Sequence, residues 1–234
     1  APATMKRLLL LSNSTNHGAG YLDHAMADIL TFLGPVRRLL FVPFALKDHT
    51  GYTAIAAKRF ARESIEVHGL EDAPHAAAAV EEAHAIFIGG GNTFRLLDKL
   101  QRNAVLDPIR RRVLAGMPYL GASAGTNIAA PTIRTTNDMP IVQPASFDAL
   151  ALVPFQINPH YIDPDPGSKH MGETREDRLR EFLEENETPV VGLREGAWIR
   201  VEDAVATLVG PKPARVFRRG RQPVEVAPGS DLVE

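Results

Sequence analysis

Apolar and polar positions alternate between two periods along the first half of the chain. The leucine-rich run Arg7–Leu11 is closed by Ser12-Asn13-Ser14 and reads as a buried strand. Leu22, Ala25, Met26, Ile29, Leu30 and Leu33 then recur at helical spacing, and Gly34-Pro35 stops that helix. The alternation continues with strands over 39–44, 65–70 and 85–88 and helices over 52–62, 74–83, 93–100 and 105–115. Strands alternating with helices predict an α/β fold, a mostly parallel sheet flanked by helices.

The second half follows another pattern. Residues 131–165 are rich in Pro, Asn, Asp and Thr, and a loop of that length is usually functional or disordered. Its apolar residues Ile141, Val142, Phe147, Leu150, Leu152, Phe155 and Ile157 predict that it is ordered, a wall or lid beside a site. An amphipathic helix is predicted over 174–185, with Leu179, Phe182 and Leu183 on one face. Short strands over 190–193, 197–201, 204–208, 215–217 and 224–226 read as antiparallel hairpins at a sheet edge. With no linker, low-complexity segment or repeat, residues 1–234 are read as one domain.

Composition narrows the partners. A net charge of −2 at pH 7 gives no electrostatic footprint for nucleic acid or an anionic membrane surface. No apolar run approaches the roughly 18 residues that span a bilayer, and the N-terminal apolar run is too short for a signal sequence. The chain has no cysteine, which excludes disulfides, thiolate catalysis and thiolate metal ligands and fits a cytoplasmic location.

Candidate chemistry centres on Gly121-Ala122-Ser123-Ala124-Gly125, which follows the apolar run 118–120 and precedes a small-residue segment. Strand, sharp turn, helix with serine at the apex is the nucleophile-elbow pattern, G-x-S-x-G. A serine hydroxyl is a poor nucleophile unless it is held exposed beside a base. Of eight histidines, His160 lies at the end of a short apolar strand, in Asn158-Pro159-His160, where α/β folds collect catalytic groups. Two acids compete to orient it. Asp138 lies in the long loop, and Glu195 lies at the end of the strand over 190–193. A strand end is the more rigid placement, which favours Glu195 slightly, while a surface pair of Glu195 with Arg194 is its bland alternative. Gly89-Gly90-Gly91-Asn92-Thr93 matches neither dinucleotide nor P-loop fingerprints. The amides of Gly90 and Gly91, with that of Ala124, are read as oxyanion donors; a plain tight turn is the other reading.

These segments are joined by Leu9-Leu10-Leu11-Ser12-Asn13-Ser14-Thr15, Pro131-Thr132-Ile133-Arg134-Thr135-Thr136-Asn137-Asp138-Met139-Pro140, Gly172-Glu173-Thr174-Arg175-Glu176 and Glu195-Gly196-Ala197-Trp198-Ile199. Together they resemble the S51 family of serine peptidases over nearly the whole chain. The resemblance implies a class I glutamine amidotransferase-like, flavodoxin-like fold with antiparallel C-terminal strands and with serine in place of cysteine. It implies Ser123 as nucleophile and His160 as base, and leaves Asp138 and Glu195 both open as the third member. It further implies hydrolysis of dipeptides with N-terminal aspartate (Asp-Xaa) without metal or cofactor. For such a substrate Arg175 is the expected reader of the aspartate carboxylate and Glu173 a weaker candidate for the free amine. Rival expectations are a cyanophycinase-like β-aspartyl peptidase, an α/β-hydrolase-type esterase and a non-catalytic binding module. The missing cysteine excludes an amidotransferase. A monomer and a homodimer are equally compatible with the sequence.

Overall fold

The computed structural model describes residues 5–234; Ala1–Thr4, part of the N-terminal stretch and of the domain span considered above, lie outside the described residues. Its larger sheet has the strand order β3-β2-β4-β5-β1-β8-β9. Five members are parallel: β1 (Arg7–Leu11), β2 (Arg38–Val42), β3 (Glu66–Gly69), β4 (Ile86–Ile88) and β5 (Tyr119–Ala122). The hairpin β8 (Trp198–Glu202) and β9 (Val205–Val209) extends it antiparallel alongside β1. Side chains on these strands alternate between two cores, as the two-residue period requires. Leu8, Leu10, Ile86 and Ile88 face one cluster with helices α4 (Thr93–Arg102) and α5 (Leu106–Leu114). Leu9, Leu11, Phe41 and Phe87 face the other, with α1 (Met26–Leu33) and α2 (His49–Ala61). A sheet buried on both faces is why these strands read as unbroken apolar runs.

The C-terminal strands differ from the sequence expectation. They do not all sit at one sheet edge. β7 (Val190–Arg194), β10 (Ala214–Phe217) and β11 (Val224–Val226) form a second sheet with β6 (Gln156–Tyr161), in the order β11-β10-β7-β6. β6 and β7 are parallel, and β6 emerges from the segment that composition alone reads as loop. Ile157, Val191, Leu193 and Val216 of this sheet pack into the same core as Leu8 and Leu10. The helix predicted over 21–33 is a 3-10 turn at Asp23–Ala25 followed by α1, because Leu22 takes a left-handed conformation with φ 61°. A short helix α3 (Ala76–Glu82) follows β3.

The stretch after the elbow is ordered by its own polar side chains. Thr132 and Asp148 bridge, and Leu150 N–H donates to Ile128 O. The Gln156 amide donates to Thr132 Oγ1 at 2.8 Å, and Asn158 Nδ2 donates to Thr135 O at 2.8 Å. Asn137 Nδ2 donates to Pro159 O at 2.9 Å. The loop is therefore fixed onto β6, the strand that carries His160.

Candidate active site

In the parallel sheet β1, β4 and β5 end on one edge, where α/β folds place their ligands. β5 ends at Ala122, and the next residue turns sharply: Ser123 has φ 54° and ψ −109° before the short helix α6 (Ala124–Asn127) begins. A non-glycine residue in that region costs about 1–3 kcal/mol and persists only where its surroundings hold it. They do so through Ser123 N–H donating to Leu11 O at 3.1 Å, Thr126 N–H to Ser123 O at 2.9 Å and Tyr119 Oη to Gly125 O at 2.5 Å. The flanking glycines are required by contact. A Cβ on Gly125 would strike Ile88 O, and one on Gly121 would lie 2.6 Å from Gly125 O.

Ser123 Oγ lies 2.7 Å from His160 Nε2, and His160 Nδ1 lies 2.7 Å from Glu195 Oε1. The arrangement has the geometry of a hydroxyl–imidazole–carboxylate relay, in which the carboxylate meets the second ring nitrogen. Glu195 follows β7 directly and, at 54% side-chain exposure, is open to solvent, as is part of His160. Arg194 is not its partner: the Arg194 guanidinium bonds Asp163 at 2.7 Å and Glu225 at 2.6 Å.

Asp138 is placed elsewhere. Its Oδ2 accepts from Thr93 N at 2.8 Å and Thr93 Oγ1 at 2.6 Å. It thus meets the N-terminus of α4, where unpaired amides and the helix dipole favour an anion. Asn92, the N-cap of that helix, donates from Nδ2 to Met139 O at 2.9 Å. Asn127, Thr136 and Thr93 complete a buried polar cluster. The long loop is thereby pinned to the glycine loop, and Asp138 does not meet His160.

The glycine loop passes directly over the nucleophile. A Cβ on Gly90 would sit 3.0 Å from Ser123 Cβ, so only glycine permits that approach without displacement. The Gly90 amide, expected to be an oxyanion donor, is already committed: it donates to Tyr52 Oη at 2.8 Å. Burial raises the Tyr52 pKa above the ordinary phenol value, outweighing the opposing hydrogen bonds with the Gly90 amide and then with Tyr21, so the hydroxyl is neutral. The amides of Gly91 and Ala124 have no partner among the described residues. Gly91 has φ 136°.

Arg175 opens helix α7 (Arg175–Glu185), whose N-cap Thr174 forms a capping box with Asp177. It is half-buried and forms no ion pair among the described residues. Burial, then the neighbouring Arg178 charge, lower its pKa, and the charge of Glu195 opposes them. Arg175 is therefore a partly desolvated cation within electrostatic reach of the relay. Glu173 has an ion-pair partner of its own. Its carboxylate lies 3.7 Å from Arg178 and lines a groove of about 510 Å³ between α7 and Thr135–Asn137, which neither Ser123 nor His160 lines. Tyr52, Thr93, Ser12 and Asn13 touch the site framework, and sequence reasoning gave none of them a role. Thr93 lies in the glycine-loop segment and Ser12-Asn13 in the N-terminal segment that carries the resemblance, whereas Tyr52 lies in neither.

Comparison with known proteins identifies the family and the fold. The model of Peptidase family S51 matches residues 8–209. A "Peptidase E" of Streptomyces coelicolor is 59% identical over 227 residues, covering 97% of this chain and 93% of that protein. A "Probable alpha-aspartyl dipeptidase" of Drosophila melanogaster is 50% identical, covering 98% and 97%. Among solved structures, a putative peptidase E protein of Listeria monocytogenes superposes with TM-score 0.68 at 22% identity over 89% of this chain and all of that one. A peptidase from an acI-B1 actinobacterium gives TM-score 0.73 at 15% identity over 98% of both chains. The α/β architecture is shared with the two solved structures, and the chain belongs to peptidase family S51, the serine-peptidase family whose signature segments its sequence carries.

Proposed function

We propose that the protein is a serine-type dipeptidase that hydrolyses Asp-Xaa dipeptides through Ser123, His160 and Glu195. The observation that carries the proposal is the continuous relay from Ser123 Oγ through both ring nitrogens of His160 to Glu195, 2.7 Å at each step. Relatives named peptidase E and alpha-aspartyl dipeptidase support the substrate class. Arg175, which forms no ion pair among the described residues, supports it independently, since a guanidinium is the best planar match to the carboxylate of an N-terminal aspartate.

Ser123 Oγ attacks the carbonyl carbon of the aspartyl residue and its proton passes to His160 Nε2. Glu195 holds the ring in the tautomer that can accept it and stabilises the imidazolium. The negative charge on the former carbonyl oxygen is met by the amides of Ala124 and Gly91. Gly90 supports the loop through Tyr52. As the C–N bond breaks, His160 protonates the leaving amine. A water then attacks the ester and gives its proton to His160. Cleavage of the ester returns that proton to Ser123 and releases aspartate. The wall formed by residues 131–155 and α7 limits the length of peptide that fits. Glu173 is assigned no role at the amine. The reading extends to a cytoplasmic enzyme that needs no metal or cofactor, on the basis of a cysteine-free chain and a complete acid–base relay.

Turnover of Asp-Leu by wild type and Ser123→Ala, with fluorophosphonate labelling in parallel, tests the reading. The expected outcome is labelling of the wild type alone and a loss of kcat of roughly 10⁶-fold in the variant. Unchanged turnover in Ser123→Ala overturns the mechanism. Preference for a β-Asp-Arg substrate, or for a p-nitrophenyl ester, would move the activity to the β-aspartyl or esterase reading instead.

A further inference from the structure

The two ends of the relay stand on different sheets, and one short segment touches both. Ser123 follows β5 of the larger sheet; His160 lies in β6 and Glu195 follows β7 of the smaller one. At the end of β1, Leu11 O accepts from Ser123 N at 3.1 Å and from Thr126 Oγ1 at 2.6 Å. The next residue reaches the other sheet. Ser12 Oγ accepts from His160 N at 2.9 Å and donates to Leu193 O at 2.7 Å. Ser12 N donates to Ala197 O at 3.1 Å, and Asn13 Oδ1 accepts from Gly196 N at 2.8 Å, beside Glu195. Ser12 is fully buried and Asn13 nearly so.

The His160 backbone depends on this contact. The register of β6 against β7 breaks between Pro159 and Tyr161, and His160 takes φ 56°, a conformation non-glycine residues resist. A bulge removes one amide from the ladder, and an amide left without a partner in a buried place is destabilising. Here the Ser12 hydroxyl receives it. The same hydroxyl spends its own proton on Leu193 O, two residues before Glu195. One oxygen thus spans the strand of the base and the strand of the acid, on the end of the strand that also holds the nucleophile's amide.

We infer that Ser12 is a positioning residue for hydrolysis: its hydroxyl fixes the bulged backbone of His160 to β7 and so sets the imidazole between Ser123 and Glu195, with Asn13 holding the turn of Glu195. Ser12 acts through His160 and touches no reacting atom. The inference rests on the Ser-His-Glu reading above. A role in folding alone would lower stability and leave the rate per folded molecule unchanged.

Ser12→Ala removes the hydroxyl, Ser12→Cys keeps the shape with much weaker hydrogen bonding, and Ser12→Thr keeps the hydroxyl. Each is assayed for kcat and KM on Asp-Leu, for fluorophosphonate labelling rate, and for folded fraction and Tm. The labelling rate reports Ser123 activation without a dipeptide. Because misplacing a catalytic group by about 1 Å costs about 100-fold, kcat and labelling rate per folded molecule should fall about 10- to 100-fold in the Ala and Cys variants, with KM within about threefold. Ser12→Thr should recover most of the rate. Wild-type-like kcat and labelling in Ser12→Cys, whatever the change in Tm, overturn the inference, as does a folded Ser12→Thr that is as slow as Ser12→Ala. If Ser12→Ala does not fold, the Cys and Thr variants decide by the same criteria. Retained turnover in Ser123→Ala would refute the relay itself, a result separate from any obtained at Ser12.

Discussion

The two halves of the site are built by opposite means. On the nucleophile side, strand, serine and helix lie within one run, Tyr119–Ala122, Ser123 and Ala124–Asn127, and the turn is held by bonds a few residues apart together with one carbonyl, Leu11 O, of the neighbouring strand. On the base side, His160 and Glu195 are 35 residues apart and are brought to 2.7 Å by the parallel pairing of β6 and β7. The first half is therefore a local motif, whereas the second is a product of sheet topology. A local strained turn needs small neighbours, which is why glycine and alanine surround Ser123. An assembled pair needs clamps from distant segments, which Ser12, Asn13 and Asn137 supply.

The comparison can be broken most sharply at the two acids. Glu195→Gln should lose about 10²–10⁴-fold in kcat while the fold is retained, since the amide no longer enforces the tautomer or stabilises the imidazolium. Its side chain is half exposed, so the lower end of that range is the natural one. Equal kcat in Glu195→Gln and wild type, measured on Asp-Leu, would remove the acid from the relay. Arg175→Met comes next. Loss of a charge-assisted pair with the substrate should lower kcat/KM for Asp-Leu about 100-fold and flatten the preference for Asp over Asn at the first position. An unchanged ratio of Asp-Leu to Asn-Leu hydrolysis would leave Arg175 as an ordinary first-turn residue.

Asp138→Asn probes the loop that joins the halves. The variant loses a charge at the α4 N-terminus and weakens the bond to Thr93, so stability should drop by about 1 kcal/mol. Its kcat should fall about 10-fold or less through the glycine loop, well short of Glu195→Gln. A larger loss in Asp138→Asn than in Glu195→Gln would reverse the assignment of the two carboxylates. The smallest effect on turnover is expected for Tyr52→Phe, although it strands the Gly90 amide at a cost of about 1–3 kcal/mol of stability. KM should be unaffected, and kcat should fall a few-fold, about 3- to 10-fold, as the loop above Ser123 loosens. A Tm equal to that of wild type would show that the Gly90–Tyr52 bond contributes nothing.

Legibility in the sequence follows the same division. The elbow, the glycine loop and the helix opening at Arg175 were recoverable because each is a contiguous pattern whose backbone geometry demands particular residues. The inner strands β1, β2, β4 and β5 of the parallel sheet were recoverable because burial on both faces favours apolar side chains, whereas the edge strand β3 is only partly covered. β6 was harder to place: Gln156 and Asn158 point polar side chains into the loop they anchor, so its apolar run is broken. The division of the C-terminal strands between two sheets left no local trace, because strand partners are chosen by packing. The same holds for Gly90, whose amide faces Tyr52 across 38 residues of separation.

By itself the sequence determined that Ser123 would stand on a strained turn between a buried strand and a helix, since G-x-S-x-G with small flanks permits little else there. It also brought His160 and two carboxylates forward as its partners. The tertiary structure alone decided which carboxylate meets the imidazole. Parallel pairing of β6 with β7 carries Glu195 to the imidazole, while the α4 N-terminus, rich in unpaired amides, takes Asp138 for itself. An electrostatic preference of that kind is set by which amides lie unsatisfied in space, and spacing along the chain does not encode it.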